Sequence, residues 1–393
     1  MHFVSRRTST NIDAESFAGR DGALFVGRGF SLAARGVAAR VPRAEAKEFL
    51  SSLTVADEVS AVGSGPLLFG AIPFDAHAPH HFVLPEEILV RTDSGDCWFT
   101  SIDGREMGHE TPPSESASDF DFSIRPGVDI DTYLEAVRQG RDEVRSGRLT
   151  KVVVARDVFI DCTQPIDLLD VLVKLRGRYP QSYRFHLDGL IGASPELLVS
   201  RMGHEITSHP LAGTTTRTGD PELDTKLAKE LRQSAKNQIE HRVVIDMVHD
   251  TLLPYCSFLD WEPEPDVIEV GNVQHLGTRL IGHLSDPPLH VLDAAYALTP
   301  TPALGGHPRD AAVDLIKRVE GFDRGRYGGA IGWFDRDGNG VFAVTIRCAE
   351  FSDDRRTAHL FAGGGIVAVS EPRAELAETE AKLQTMTRAI TGK

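Results

Sequence analysis

The side chains best able to do chemistry lie between Lys151 and the end of the chain. Near its end, Gly363-Gly-Gly365 precedes Glu371, Glu375, Glu378 and Lys382, charged groups at spacings of four, three and four. On a helix those spacings place all four on one stripe, with Leu376, Leu383, Met386 and Ile390 on a separate apolar stripe. Such a row is either a solvated salt-bridge ladder or one wall of an ion-binding site. A further carboxylate, Glu240, shares the azimuth of Val244, Met247 and Val248 on the apolar face of an expected helix. Left unpaired there it would cost several kcal/mol, so it needs a cation, either a structural Arg or Lys or a metal ion.

Two residues have the type and setting for proton transfer. Three valines follow Lys151, and desolvation among them favours the neutral amine that a general base requires. Truncating Lys151 is expected to abolish turnover and, as an exposed-side change, to cost under about 0.5 kcal/mol of stability. The ordinary alternative is a strand-end lysine that snorkels into water. Glu196 follows a proline-fixed turn in Gly192-Ala-Ser-Pro-Glu196. Partial burial there would keep its carboxyl protonated as a general acid, and the alternative is an ordinary loop glutamate.

Gly213-Thr-Thr-Thr216 offers backbone N–H groups and hydroxyls together, as an anion-binding turn does. Neither a phosphate-loop spacing nor a dinucleotide fingerprint is present, so a nucleotide is not the expected ligand. His77, His80 and His81 sit in a proline-containing loop without further ligand spacing. His275 alternates with apolar neighbours in the manner of a satisfied core histidine.

These groups need elements to position them. Ile130, Tyr133, Leu134, Val137 and Val144 recur at helical spacing and Gly147 supplies a stop, so a helix delivers Lys151 to the start of a strand. Asp220-Pro221 reads as an N-cap followed by a first-turn proline, and another helix from about Ser234 to Leu252 carries Glu240. Val341 to Cys348 alternates as one strand, with Phe342, Val344 and Ile346 on one face and Thr345 with Arg347 on the other. The polar turn Ser352 to Thr357 then leads into a strand ending in the three glycines, a hairpin that lets Arg347 approach them. An arginine beside a glycine nest is a carboxylate receptor.

Residues 1–110 read as a mostly β part of the same unit, 111–119 as an exposed linker and 120–393 as the catalytic region. A chain of 393 residues, 41% hydrophobic and 25% charged, has ample core for an α/β (α+β) fold. The net charge of −15 argues against nucleic acid or anionic membrane as a partner. It also means that an anionic substrate must find local Arg, Lys or a metal. Cys97, Cys162, Cys256 and Cys348 are far apart, which fits reduced thiols in the cytoplasm. Arg6-Arg7 is followed by a polar run instead of an apolar one, and no stretch approaches the length of a membrane span, so no export is expected.

Taken together the segments resemble the chorismate-utilising enzymes, in particular their siderophore-type isochorismate synthases. The likeness rests on Gly70-Ala-Ile-Pro-Phe-Asp75, Lys151-Val-Val-Val-Ala-Arg156, Ala193-Ser-Pro-Glu-Leu197, Pro210-Leu-Ala-Gly-Thr214 and Glu240-His241. It continues through Gln274-His-Leu276, Pro300-Thr-Pro-Ala-Leu-Gly305, Phe322-Asp-Arg324, Tyr327-Gly-Gly329, Thr345-Ile-Arg-Cys348 and the C-terminal stretch. It implies two packed β-sheets with helices outside, acting as a monomer. It also implies Mg²⁺ held by Glu240 and Glu378, with Glu375 in support through the metal's waters, bridging to the ring carboxylate of chorismate. The second carboxylate would meet Arg347, Lys382 and N–H groups near Gly213, Thr214 and Gly364. His275, Ala303, Leu304, Tyr327, Ile346 and Phe361 complete the implied substrate wall. By the same likeness, Lys151 activates water for attack at ring C2 while Glu196 protonates the departing C4 hydroxyl.

Two residues depart from the family pattern: Thr299 where a histidine is usual, and Asn237 where an aspartate is usual. Salicylate synthases, which go on to eliminate pyruvate, resemble one another in having Thr-Ala where this chain has Ala303-Leu304. The remaining alternative is a non-catalytic chorismate-binding protein, against which stands the presence of Lys151, Glu196, Glu240 and Glu378 together.

Overall fold

Side-chain alternation along one strand, Lys151–Cys162, sets the layering. Its even-numbered residues face helices: Val152 and Val154 pack with Tyr133, Val137 and Leu315, and Val158 and Ile160 with Leu172, Leu383 and Met386. Ala155, of the opposite parity, joins the large core between the two main sheets. Lys151 shares that parity and therefore starts on the inner face. The structure is a computed structural model that describes residues 1–108 and 120–392. The expected linker 111–119 lies outside the described residues.

Among the described residues the strands form sheets of thirteen, nine and three. The two large sheets enclose one core, to which Phe25, Leu32 and Phe185 contribute from the first and Leu67, Phe69 and Phe342 from the second. The N-terminal residues are shared between both. Ala23–Val26 pairs with Tyr183–Leu187, and Leu67–Ile72 pairs with Ala330–Asp335. The three-stranded sheet, Leu211–Thr216 with Val273–Gly277 and Asp266–Val270, has no counterpart in the two-sheet expectation. It carries Gly213, Thr214 and His275.

The helices that matter to the site are capped as the sequence indicates. Asp220 accepts from the backbone N–H groups of Glu222 and Leu223 ahead of Pro221–Gln233. Ser234 accepts from that of Asn237 ahead of Ala235–Leu252, which holds Glu240. Gly147 follows Ile130–Arg145 with φ +80°, a conformation that glycine adopts without a Cβ penalty. Glu371 is the N-cap of Pro372–Thr391 and its side chain is 71% exposed, so solvent explains that member of the acidic row.

The single strand expected over Val341–Cys348 is two strands. Gly340–Val344 belongs to the nine-stranded sheet and Cys348–Phe351 to the thirteen-stranded one. The chain crosses between sheets at Thr345-Ile346-Arg347, where Arg347 has φ +51°. Regular alternation would send Ile346 and Arg347 to opposite faces, but the left-handed residue turns both toward the same cavity.

Candidate active site

At the crossing point, the inner end of Lys151–Cys162, the Ala235–Leu252 helix, the small sheet and the C-terminal helix enclose one cavity. Lys151, Glu196, Glu240, Glu378, Lys382 and Arg347 all line it. Lys151 is buried, with only 1% of the residue accessible, which overturns the expectation that its truncation is an exposed-side change of little cost. Its Nζ lies 2.8 Å from Glu240 Oε1. Burial works to raise the Glu240 carboxyl, but the charge and hydrogen bond of Lys151, helped by Lys236 and Lys382, hold it below its ordinary value. The cation that Glu240 requires is thus present within the chain.

Glu196 sits opposite in character. Desolvation pushes its carboxyl up from 4.5 to about 7, against the opposing pull of the Leu211 backbone N–H, Lys151 and Arg347. Its Oε1 is buried without a hydrogen-bond partner. A carboxylic acid in this state holds a proton near neutral pH and can give it to a group entering the cavity.

The cationic end is built around Arg347, 7% exposed, with Nε lacking a partner. Its Nη2 lies 3.0 Å from His275 Nε2. Only a nitrogen without a proton can accept there, so the proton of His275 belongs on Nδ1. That nitrogen is 3.2 Å from the Gly213 carbonyl oxygen, to which it donates, and 3.1 Å from Thr214 Oγ1. Burial, then Arg347 and Lys382, hold His275 well below its ordinary value and therefore neutral. Gly213 has φ +81°, and a Cβ there would lie 3.1 Å from Asn237 Cβ.

Lys382 Nζ donates to the Gly363 carbonyl at 2.8 Å and pairs with Glu378 at 2.6 Å. The strand register decides which glycines face the cavity. Val153 donates its backbone N–H to Gly305 and Ala155 to Glu320, both away from the strand Thr357–Ile366. Antiparallel pairs alternate between bonded and non-bonded, so their partners Gly365 and Gly363 also turn their backbone groups outward. Gly364, paired with Val154, spends its N–H in the ladder, and its Cα faces Glu375. The expected Gly364 contact is therefore corrected to Gly363 and Gly365, which the cavity wall contains.

Ala303, Leu304, Tyr327 and Ile346 form the less polar side of the wall. Phe361 does not join them. Its ring stacks behind Tyr327 with centroids 5.2 Å apart and planes at 13°. Pro195, Leu211 and Ala212 also line the cavity. All three stand in segments that carry the family resemblance, but no side-chain chemistry singled them out as wall residues. Thr299 ends the Val291–Leu298 helix with Oγ1 bonded to the Ala295 carbonyl, outside the cavity wall. His80 is held by Tyr296 and the Ala78 carbonyl, and the His77, His80, His81 run forms no metal cluster among the described residues.

The donor set can be weighed against a divalent cation. Glu240 and Glu378 present only carboxylate oxygens to the cavity, each balanced by a lysine. Glu375 lies behind, 3% accessible and 3.4 Å from Lys236. Burial, then the charge of Glu378, raise its carboxyl, with Glu240 adding to the effect, so three like charges are gathered here. No three such side chains form a closed metal cluster among the described residues. Mg²⁺ nevertheless takes as few as one or two protein carboxylates and fills the rest with water and substrate oxygens, and the residues present fit that demand.

Fold and cavity place the protein among enzymes that bind chorismate. A profile of the family described as chorismate binding enzyme matches residues 102–391, and the chain belongs to that family. It is 38% identical over 376 residues to the isochorismate synthase DhbC of Bacillus subtilis, covering 91% of each chain. It is also 36% identical to the vibriobactin-specific isochorismate synthase of Vibrio cholerae, over 82% of this chain and 79% of the other. The crystal structure described as a putative 2,3-dihydroxybenzoate-specific isochorismate synthase, DhbC from Bacillus anthracis, superimposes with a TM-score of 0.80 at 33% identity. That match covers 94% of this chain and 96% of the other.

Proposed function

We propose that the protein is an isochorismate synthase, an isomerase that converts chorismate to isochorismate. The observation that carries the reading is one cavity holding Glu196, whose carboxyl stays protonated up to about pH 7, together with the buried amine of Lys151. A water attacks ring C2 as Lys151 takes its proton, and the C4 hydroxyl departs with the proton from Glu196, so one water enters as another leaves. Returning the proton from lysine to glutamate closes the cycle. Since the reaction is a near-neutral transposition, positioning and proton transfer supply the rate. Lys151 must shed the proton of its ion pair with Glu240 to solvent before it takes one from the attacking water.

Arg347, Lys382 and the outward N–H groups of Gly363 and Gly365 suit the second carboxylate of chorismate, offsetting the overall negative charge of the chain. Mg²⁺ bound by Glu240 and Glu378, with Glu375 behind them, would supply the positive charge that holds the ring carboxylate. The names of the relatives support a role in supplying catecholate siderophores. We read the enzyme as a cytoplasmic monomer, a reading that its four free cysteines support as to compartment. No helix among the described residues is long and apolar enough to cross a membrane.

The test is purified protein with chorismate and Mg²⁺, with isochorismate and pyruvate followed separately. Metal-dependent isochorismate without pyruvate is expected. Pyruvate and salicylate formed in step with turnover would replace the reading with a salicylate synthase, and absence of turnover with a binding protein.

A further inference from the structure

Two segments prominent in the sequence take no part in that chemistry, Gly70-Ala-Ile-Pro-Phe-Asp75 and Phe322-Asp-Arg324. The fold joins them at one buried guanidinium. Arg324 is 3% exposed, and Glu320, which follows the Arg309–Val319 helix, is 4% exposed. Arg324 Nε donates to Glu320 Oε2 at 2.8 Å, and Nη2 donates to Glu320 Oε1. The other N–H groups reach the cavity wall from behind. Nη1 donates to the Leu304 carbonyl at 2.7 Å and Nη2 to the Val153 carbonyl at 2.9 Å. Glu320 Oε1 in turn accepts the Ala155 N–H at 2.7 Å. The guanidinium lies 4.3 Å from the ring centre of Phe74 and 5.8 Å from that of Tyr327.

Arg324 and Glu320 are outside the cavity wall, whereas Leu304, Tyr327 and Lys151 line it. A planar fork that bonds carbonyls of two separate segments sets the spacing between them, and a lysine ammonium has no such reach. We infer that Arg324, oriented by Glu320, is a positioning residue. It fixes the Leu304–Tyr327 wall relative to the strand that presents Lys151, and so aligns the substrate ring with its base. This inference rests on the isochorismate synthase reading.

Two variants separate alignment from folding. Arg324→Lys keeps a cation beside Glu320 but cannot hold both carbonyls. Glu320→Leu/Arg324→Met removes the pair together, which a protein interior tolerates better than the loss of one partner. For the folded fraction of each, kcat for isochorismate formation should fall on the order of 10- to 100-fold while KM for chorismate stays within about threefold. Amide exchange across residues 151–154 and 303–305 should quicken in the same variants. A folded variant with wild-type kcat, or a loss confined to KM, overturns the inference. Should the wild-type protein leave chorismate unchanged, the reaction assignment fails, and amide exchange alone judges the clamp. Faster exchange in both segments then supports it, and unchanged exchange refutes it.

Discussion

Lys151 and Glu240 meet as a closed ion pair, Nζ to Oε1 2.8 Å, with the lysine side chain 2% and the glutamate side chain 11% exposed. Base and metal-ligand candidates thus neutralise each other across the cavity, and neither can be altered without consequence for the other.

Removing the lysine alone strands a buried carboxylate. Lys151→Ala should therefore lose turnover and also cost about 3–5 kcal/mol of stability, in contrast to the near-zero cost of an exposed lysine. Denaturant melts check this, and Lys151→Met/Glu240→Leu should recover most of the stability with none of the activity. A single variant as stable as wild type would mean that the pair is open in solution.

Glu196 makes the enzyme sensitive to pH. Its carboxyl must be protonated to act, and the fraction of sites in which Glu196 holds its proton falls as pH rises through about 7. The sign for stability is the same. Raised from 4.5 to about 7 by burial, the group stabilises the fold fully below about 4.5, and that contribution is gone above about 7. Glu196→Gln should be inactive yet more stable than wild type at pH 8, by up to on the order of 3 kcal/mol. Equal stability of the two proteins from pH 5 to pH 8 would contradict the assignment.

The glycine register predicts unequal effects from neighbouring substitutions. A Cβ at Gly365 would lie 2.3 Å from Glu240 Oε1 and 2.8 Å from Lys151 Cε, whereas one at Gly364 would lie 2.9 Å from Glu375 Oε2. Gly365→Ala should abolish turnover by pushing the ion pair apart, and Gly364→Ala should retain a substantial fraction because a flexible side chain can move. Steady-state assays of both variants, with melts to confirm folding, decide the point.

Metal removal is expected to stop the reaction. Chelation should abolish turnover and Mg²⁺ restore it, and Mg²⁺ with chorismate should raise the melting temperature of wild type by mass action. Glu378→Gln should lose that shift as well as activity. A metal-induced shift that persists in Glu378→Gln would place the cation elsewhere.

Local structure was legible wherever one residue type settles it. Asp220, Ser234 and Gly147 mark helix ends because a side-chain oxygen or a left-handed glycine satisfies a terminus without help from distant residues. The break at Thr345–Arg347 was not legible, since alternation runs on unchanged through a chain that changes sheets. The choice between Gly364 and its neighbours was equally hidden. It depends on which residues of Lys151–Cys162 bond to Gly305 and Glu320, a matter of pairing between segments more than 100 residues apart.

The chain by itself determined the inventory: a lysine and a glutamate suited to proton transfer, three carboxylates, two candidate cationic anchors and the family to which they belong, because these reside in residue type and order. Tertiary structure alone decided that Lys151 is buried against Glu240, that Glu196 keeps its proton to about pH 7, and that Arg324 holds the wall behind them. Burial and charge pairing are properties of what surrounds a group, and those surroundings come from strands and helices distant in sequence.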